Sequence, residues 1–223
     1  MKNSFVIAID GASSTGKSTL AKGLANALSI AHVDSGAMYR GVTLYAQQQH
    51  WITETSFDTQ ALVANLDDIQ LMFKGDRLLL NGKDVSDPIR SMSVSEAVSR
   101  VAAISEVRVF LVAQQRTIAA HQSVVMDGRD IGTVVFPNAD LKIFLTADPK
   151  IRAQRRYEEL APLDATLTFE QILDNITQRD HLDSTRADSP LMQATDAIAI
   201  VASDYTIEEL HAHVLALVKK LIH

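Results

Sequence analysis

The chain has 223 residues, 47% of them hydrophobic and 22% charged, and no cysteine. Length and balance suit one large domain, or one domain carrying an insertion; they exclude a mainly disordered chain, a disulfide framework and a thiolate metal site. With 21 lysines and arginines against 27 acidic residues the net charge is −6, so no global field draws the chain to nucleic acid or an anionic membrane, and any grip on a polyanion must be local.

Phe5–Ile9, ending at Asp10-Gly11, reads as the first strand of a buried sheet. It is too short to span a bilayer, and the chain start lacks the longer apolar stretch of a signal peptide, so the expected compartment is the cytoplasm. Ile30–Val33, Val124–Met126, Leu141–Thr146 and Ala197–Val201 read as four further strands. All are rich in Val, Ile and Leu without clean alternation, as where helices cover both sheet faces. Helical patterns lie between them. One follows Lys17, with Leu20, Leu24 and Leu28 at spacings of four; another follows Gly36; a long one covers roughly Ser93 to Ala120. Alternating strands and helices predict a mainly parallel α/β sheet.

Between Ile69 and Val85 the rhythm changes. Ile69–Phe73, Arg77–Leu80 and Lys83–Val85 are short extended pieces joined by Lys74-Gly75-Asp76 and Asn81-Gly82, and Asn-Gly is a strong hairpin signal. A small antiparallel three-stranded sheet is expected there, inserted into the larger domain and flanked by helices from about Asp58 to Leu66 and from Ser93 onward. Ser93-x-x-Glu96, Thr168-x-x-Gln171 and Thr206-x-x-Glu209 have capping-box spacing, and Asp148-Pro149 places a capping carboxylate before a proline. The last helix should pack through a stripe of Ile207, Leu210, Val214, Leu217, Val218 and Leu221.

The sharpest motif is Gly11-Ala12-Ser13-Ser14-Thr15-Gly16-Lys17-Ser18, followed by Thr19. It fits G-x-x-x-x-G-K-[ST] between a strand and a helix, the context such a motif requires. Small residues let backbone amides converge on phosphate oxygens, and the helix starting near Lys17 adds its positive end. Lys17 suits the β- and γ-phosphates, and Ser18 suits Mg²⁺. The motif predicts binding of a nucleoside triphosphate without specifying the reaction. Asp127 resembles the acidic residue that closes a Walker B strand and helps place Mg²⁺.

Three arginine clusters follow. Arg40, after Asp34-Ser35-Gly36, and Arg129, in Asp127-Gly128-Arg129-Asp130, sit at strand ends where α/β sheets bind ligands. Singly each reads as a surface ion-pair residue; beside a phosphate loop the ligand reading is favoured. Arg179, Asp183 and Arg186 share one helix face if the helix opened by Thr168 runs on. Arg152, Arg155 and Arg156 lie before a loop-like stretch, Leu160 to Thr168. They form either a lid that closes over phosphates or a charged outward helix face. Of the histidines, His181 lies inside an arginine cluster, and His50, His121, His211, His213 and His223 form no ligand set.

With these residues assembled, the sequence resembles the bacterial cytidylate kinases, nucleoside monophosphate kinases with a phosphate loop. The likeness runs from Ile7 to the last helix. It is carried by the phosphate loop, Asp34-Ser35-Gly36-Ala37-Met38-Tyr39-Arg40, Asp127 to Pro137, Ala139 to Thr146, Arg152 to Tyr157, and Arg179-Asp180 with Arg186. The resemblance implies a phosphate-loop kinase core with a five-stranded parallel sheet. To this are added an inserted three-stranded monophosphate-binding subdomain, approximately residues 36–105, and a lid, approximately 150–168. It implies transfer of the γ-phosphoryl group of ATP to CMP or dCMP with Mg²⁺, and closure of insert and lid on nucleotide.

By the same resemblance Ser35, Ser99, Arg108 and Asp130 read cytosine. Arg40, Arg129 and Arg186 hold the monophosphate, Arg179 and Asp183 lie near the sugar, and Arg155 and Arg156 approach the phosphoryl group in transfer. Ser18 and Asp127 would hold the metal. The chemistry is consistent: a carboxylate accepts from cytosine's exocyclic amine, and an arginine donates to a ring acceptor. Other readings are a kinase for UMP or shikimate, a GTP-dependent switch and a nucleic-acid ATPase. The base-reading set speaks against the first, the lack of an Asn-Lys-x-Asp motif against the second, and the acidic balance against the third. A monomer is expected.

Overall fold

The computed structural model describes residues 4–162 and 164–222, with the side chain of Ile222 left out. Met1 to Asn3, Leu163 at the tip of the expected lid, and His223 lie outside the described residues. The chain divides into two units, Met1–His32 with Gln122–His223, and Val33–His121.

The main sheet has five strands: β1 (Val6–Gly11), β2 (Ala31–Asp34), β6 (Val124–Gly128), β7 (Leu141–Thr146) and β8 (Ile198–Val201), in the order β2-β6-β1-β7-β8. The central strand β1 pairs in parallel with β6 on one side and β7 on the other. Its pattern Val-Ile-Ala-Ile-Asp-Gly is almost wholly buried, as the unbroken apolar run requires. Helix α1 (Lys17–Leu28) packs Leu20, Leu24 and Ala21 against Ile7, Ile9, Val125, Ile143 and Leu145. The final helix α8 (Ile207–Ile222) adds Leu210, Val214 and Val218 to the same core. Ile207 and Leu221, expected on that stripe, are instead exposed, at 67% and 56%. They stand at the two ends of the helix.

Two further helices belong to this unit. In α6 (Pro149–Leu160) Asp148 caps Lys150 N at 2.8 Å, with proline in the first turn. In α7 (Phe169–Thr185) the Thr168–Gln171 capping box closes in both directions, and Thr206–Glu209 does the same for α8.

The second unit contains α2 (Ser35–Gln48), α3 (Thr59–Ala64), the three-stranded antiparallel sheet β3 (Leu71–Lys74), β4 (Arg77–Leu80) and β5 (Lys83–Asp84), and helices α4 (Met92–Ala102) and α5 (Ser105–Ala119). Asn81 and Gly82 both take positive φ, 48° and 78°, the geometry of the two-residue turn that joins β4 to β5. The single long helix expected from Ser93 to Ala120 is two helices. Ile104 adopts extended backbone and begins α5, while Ala103 ends α4. Neither residue is a glycine or proline, so nothing local marks the break. Ser91, not Ser93, caps α4, accepting from Val94 N.

Candidate active site

In the first unit β1 runs straight into the phosphate loop. Gly11 has φ 150°, and a side-chain carbon there would meet the carbonyl oxygen of Leu145, its partner on β7, at 2.2 Å. Only glycine permits that approach. Ser14 and Gly16 also take positive φ, folding the loop back on itself. Lys17 is buried and donates to Ala12 O at 2.6 Å, so its ammonium lies over the loop's own backbone. Thr15 Oγ1 donates to the same carbonyl at 3.0 Å.

Beside the loop, the Ser18 hydroxyl donates to Asp127 Oδ2 at 2.7 Å, bridging α1 to the end of β6. The other carboxylate oxygen of Asp127 lies 2.8 Å from His32 Nε2, with both side chains buried. Sequence reading overlooks His32, because its partner lies 95 positions away. Ser18 and Asp127 together offer hard oxygen donors, the type Mg²⁺ prefers. Among the described residues no three His, Asp or Glu side chains converge for a metal. A cation here would therefore rely on these two residues, on phosphates and on water.

Asp183, on α7, is buried and accepts from Arg129 Nε at 2.9 Å; Arg179 Nε stands 4.0 Å away. Burial pushes this carboxyl upward, but the charges of Arg129, Arg179 and Arg186 outweigh it and hold it below the usual carboxylate range. The i,i+4 relation of Arg179 and Asp183 is therefore not that of a solvated helix face. Arg186 does not share the face: α7 ends at Thr185, and Arg186 turns to extended backbone with Nε donating to Ser189 O at 2.7 Å.

Arg152 departs from the charged-face reading too. It is buried and ties α6 to the phosphate loop through Ser13 O, to Ala147 O, and to Asp180 of α7 at 2.6 Å. Arg156 pairs with Glu159 one turn on, while Arg155 is exposed and lines a cavity of about 670 Å³. Thr15, Gly16 and Thr19 of the phosphate loop line the same cavity, as do Tyr205 and His211.

Asp10, the last residue before the loop, is buried, and no motif in the sequence marks it as functional. Its two oxygens accept from Ile131 N and Gly132 N, each at 2.7 Å. Burial first, and then the Asp130 charge, push its carboxyl up to about 6 against the lowering effect of those two amides and Lys17.

In the second unit Asp34 caps α2 through Ala37 N and also accepts from Arg40 Nη2 at 2.9 Å. Arg40 is thus presented from the first turns of the helix. Ser35, Ser99 and Arg108 are all buried, and the guanidinium of Arg108 lies 5.9 Å from the centre of the Tyr39 ring while donating to Ala102 O. A buried arginine stacked on an aromatic face keeps a fixed fork of donors.

Residues 7–220 match the sequence profile of the cytidylate kinase family. The chain belongs to that family. It is 50% identical to a cytidylate kinase of Flavobacterium johnsoniae over 222 residues, covering 97% of this chain and 96% of the relative. It is 47% identical to one of Bacteroides fragilis strain ATCC 25285, covering 97% of each. Among solved structures it is similar in fold to an uncharacterised protein of Eubacterium ventriosum, with TM-score 0.53 at 12% identity and coverage of 97% and 98%. As a cytidylate kinase family member the chain is a phosphotransferase acting on small nucleotide substrates. Among the described residues no helix is long and apolar enough to cross a membrane.

Proposed function

We propose that the chain transfers the γ-phosphoryl group of ATP to CMP or dCMP, giving ADP and CDP or dCDP. An oxygen of the acceptor's phosphate attacks the γ-phosphorus, and the bond from that phosphorus to the bridging oxygen of ADP breaks. The observation that carries the acceptor is the family match over residues 7–220; the phosphate loop closing β1, with Lys17 curled over it and Ser18 bonded to Asp127, carries the donor.

The backbone of Gly11 to Thr19 and Lys17 hold the donor's phosphates, and the neighbouring cavity takes the donor's base and sugar. Mg²⁺, when bound through Ser18 and Asp127, offsets charge on those phosphates. Arg40, Arg129 and Arg186 hold the acceptor's monophosphate, and Arg179 and Asp183 face its sugar. Arg129 and Arg186, with Arg155 and Arg156, spread charge as the phosphoryl group moves. Because Asp183 stays ionised, it fixes the Arg129 guanidinium by its Nε before substrate arrives. Ser35, Ser99, Arg108 and Asp130 read the cytosine. Their burial supports this, since buried polar groups impose a heavy cost on a ligand that fails to match them. We place the activity in the cytoplasm and take the working form as a monomer. The insert and lid, residues 36–105 and 150–168, are the segments proposed to close on nucleotide.

Replacing Asp130 by alanine tests the base-reading assignment. The expected result is a CMP KM raised by about tenfold or more and a reduced preference for CMP over UMP. An unchanged preference would show that the amine acceptor lies elsewhere.

A further inference from the structure

The segment that follows β6 carries Arg129 and Asp130 and then enters a π-helical turn, Ile131–Val135. The first amides of such a turn have no partner within it and must be satisfied from outside. Asp130 occupies the capping position, yet its side chain makes no capping bond. The bonds come from another strand. Asp10 of β1 gives one oxygen to Ile131 N and the other to Gly132 N, across more than 120 positions of chain.

We propose that Asp10 is a positioning residue for the acceptor: it clamps the start of the 131–135 turn, and so fixes the backbone from which Arg129 and Asp130 project. This rests on the assignment of Arg129 and Asp130 to CMP.

Several observations support it. Both bonds are short, and each engages a different oxygen, so the carboxylate plane and the turn are locked in two directions. Gly132 fits the clamp closely: a side-chain carbon there would lie 3.3 Å from Asp10 Oδ2 and 3.1 Å from Lys142 Cδ. Lys142 is itself buried and tied to Pro137 O at 2.6 Å and Asp196 at 2.8 Å, so the turn is held between two anchored side chains. Asp10 is also the residue before Gly11, which the Leu145 carbonyl confines. The donor's loop and the acceptor's segment thus hang from adjacent residues of the central strand. A carboxylate whose burial is unfavourable is poorly suited to be mere filling.

Asp10→Asn keeps shape but offers one acceptor and turns an N–H toward the second amide. The test compares wild type, Asp10→Asn, Gly132→Ala and Asp130→Ala by CMP kinetics, ADP affinity and melting temperature. The expected result for Asp10→Asn is a CMP KM raised by about tenfold, with ADP affinity changed by less than about twofold. Gly132→Ala, which pushes on the clamp from the other side, should show the same split, and it decides the matter if Asp10→Asn does not fold. Equal loss of CMP and ADP binding, or a lower melting temperature with unchanged CMP KM, would overturn the proposal. An unchanged CMP KM in Asp130→Ala would overturn the assignment beneath it. A raised KM there beside an unchanged one in Asp10→Asn and Gly132→Ala would overturn the positioning role alone.

Discussion

At the scale of single residues, the molecule sets two buried carboxylates against each other. Asp183 is charged because three arginines surround it; Asp10 keeps its charge only against burial and Asp130. Their pH signatures differ in sign. Asp183 titrates below its ordinary value of 3.8, so its stabilisation is complete above that value and is lost as pH falls through the lower folded value. Asp10 titrates near 6 when folded, so its contribution falls as pH rises from about 4 to about 6. Asp183→Asn should destabilise the protein by about 3 kcal/mol at neutral pH, because it leaves Arg129 and Arg179 without their buried counter-charge. Denaturant titration of both proteins across pH checks this: the gap should narrow below pH 3.8. A gap independent of pH would mean that the pair contributes through packing.

The phosphate loop was legible because all its chemistry lies within eight consecutive residues. The pairs Asp10 with Ile131, His32 with Asp127 and Arg152 with Asp180 were not, since each joins residues distant in sequence. Arg152 looks like its neighbours Arg155 and Arg156, and only the fold turns one inward and leaves another exposed.

At the scale of elements, the existence of each strand followed from local composition, with most ends shifted by one or two residues. Leu141–Thr146 and Arg77–Leu80 have the same ends in sequence and structure, and the Asn81-Gly82 turn follows from backbone preference alone. The break between α4 and α5 was hidden, because Ala103-Ile104 carries no breaker and both flanks have helical periodicity. Arg186 was misplaced for a related reason: the chain leaves the helix at Thr185 without glycine or proline. At Gly11, β1 runs against Leu145 of β7 with no room for a side chain. Gly11→Ala puts a carbon 2.2 Å from the Leu145 carbonyl oxygen, and because that atom is backbone of a paired strand it cannot move cheaply. The variant should lose most of its soluble yield or melt well below wild type in a thermal scan. A variant melting with wild type would show that the β1–β7 pairing tolerates a shift.

At the scale of the whole chain, an acidic protein keeps local groups of cations: within the first unit Arg129, Arg179 and Arg186 act on Asp183. Net charge alone would have argued against binding a polyanion, and local clustering reverses that. The fold class, a five-stranded parallel sheet with a separate antiparallel sheet of three, was readable from the switch in hydrophobic rhythm near Ile69. The acceptor was not readable from periodicity or spacing, because the residues proposed to read the base are scattered from Ser35 to Asp130; it rests on family membership. The most direct test is ADP release from ATP and Mg²⁺ with CMP, dCMP, UMP, AMP, GMP and shikimate in parallel. The cytidylate reading predicts turnover much faster with CMP and dCMP than with any other acceptor. Equal or faster turnover with another acceptor would contradict it.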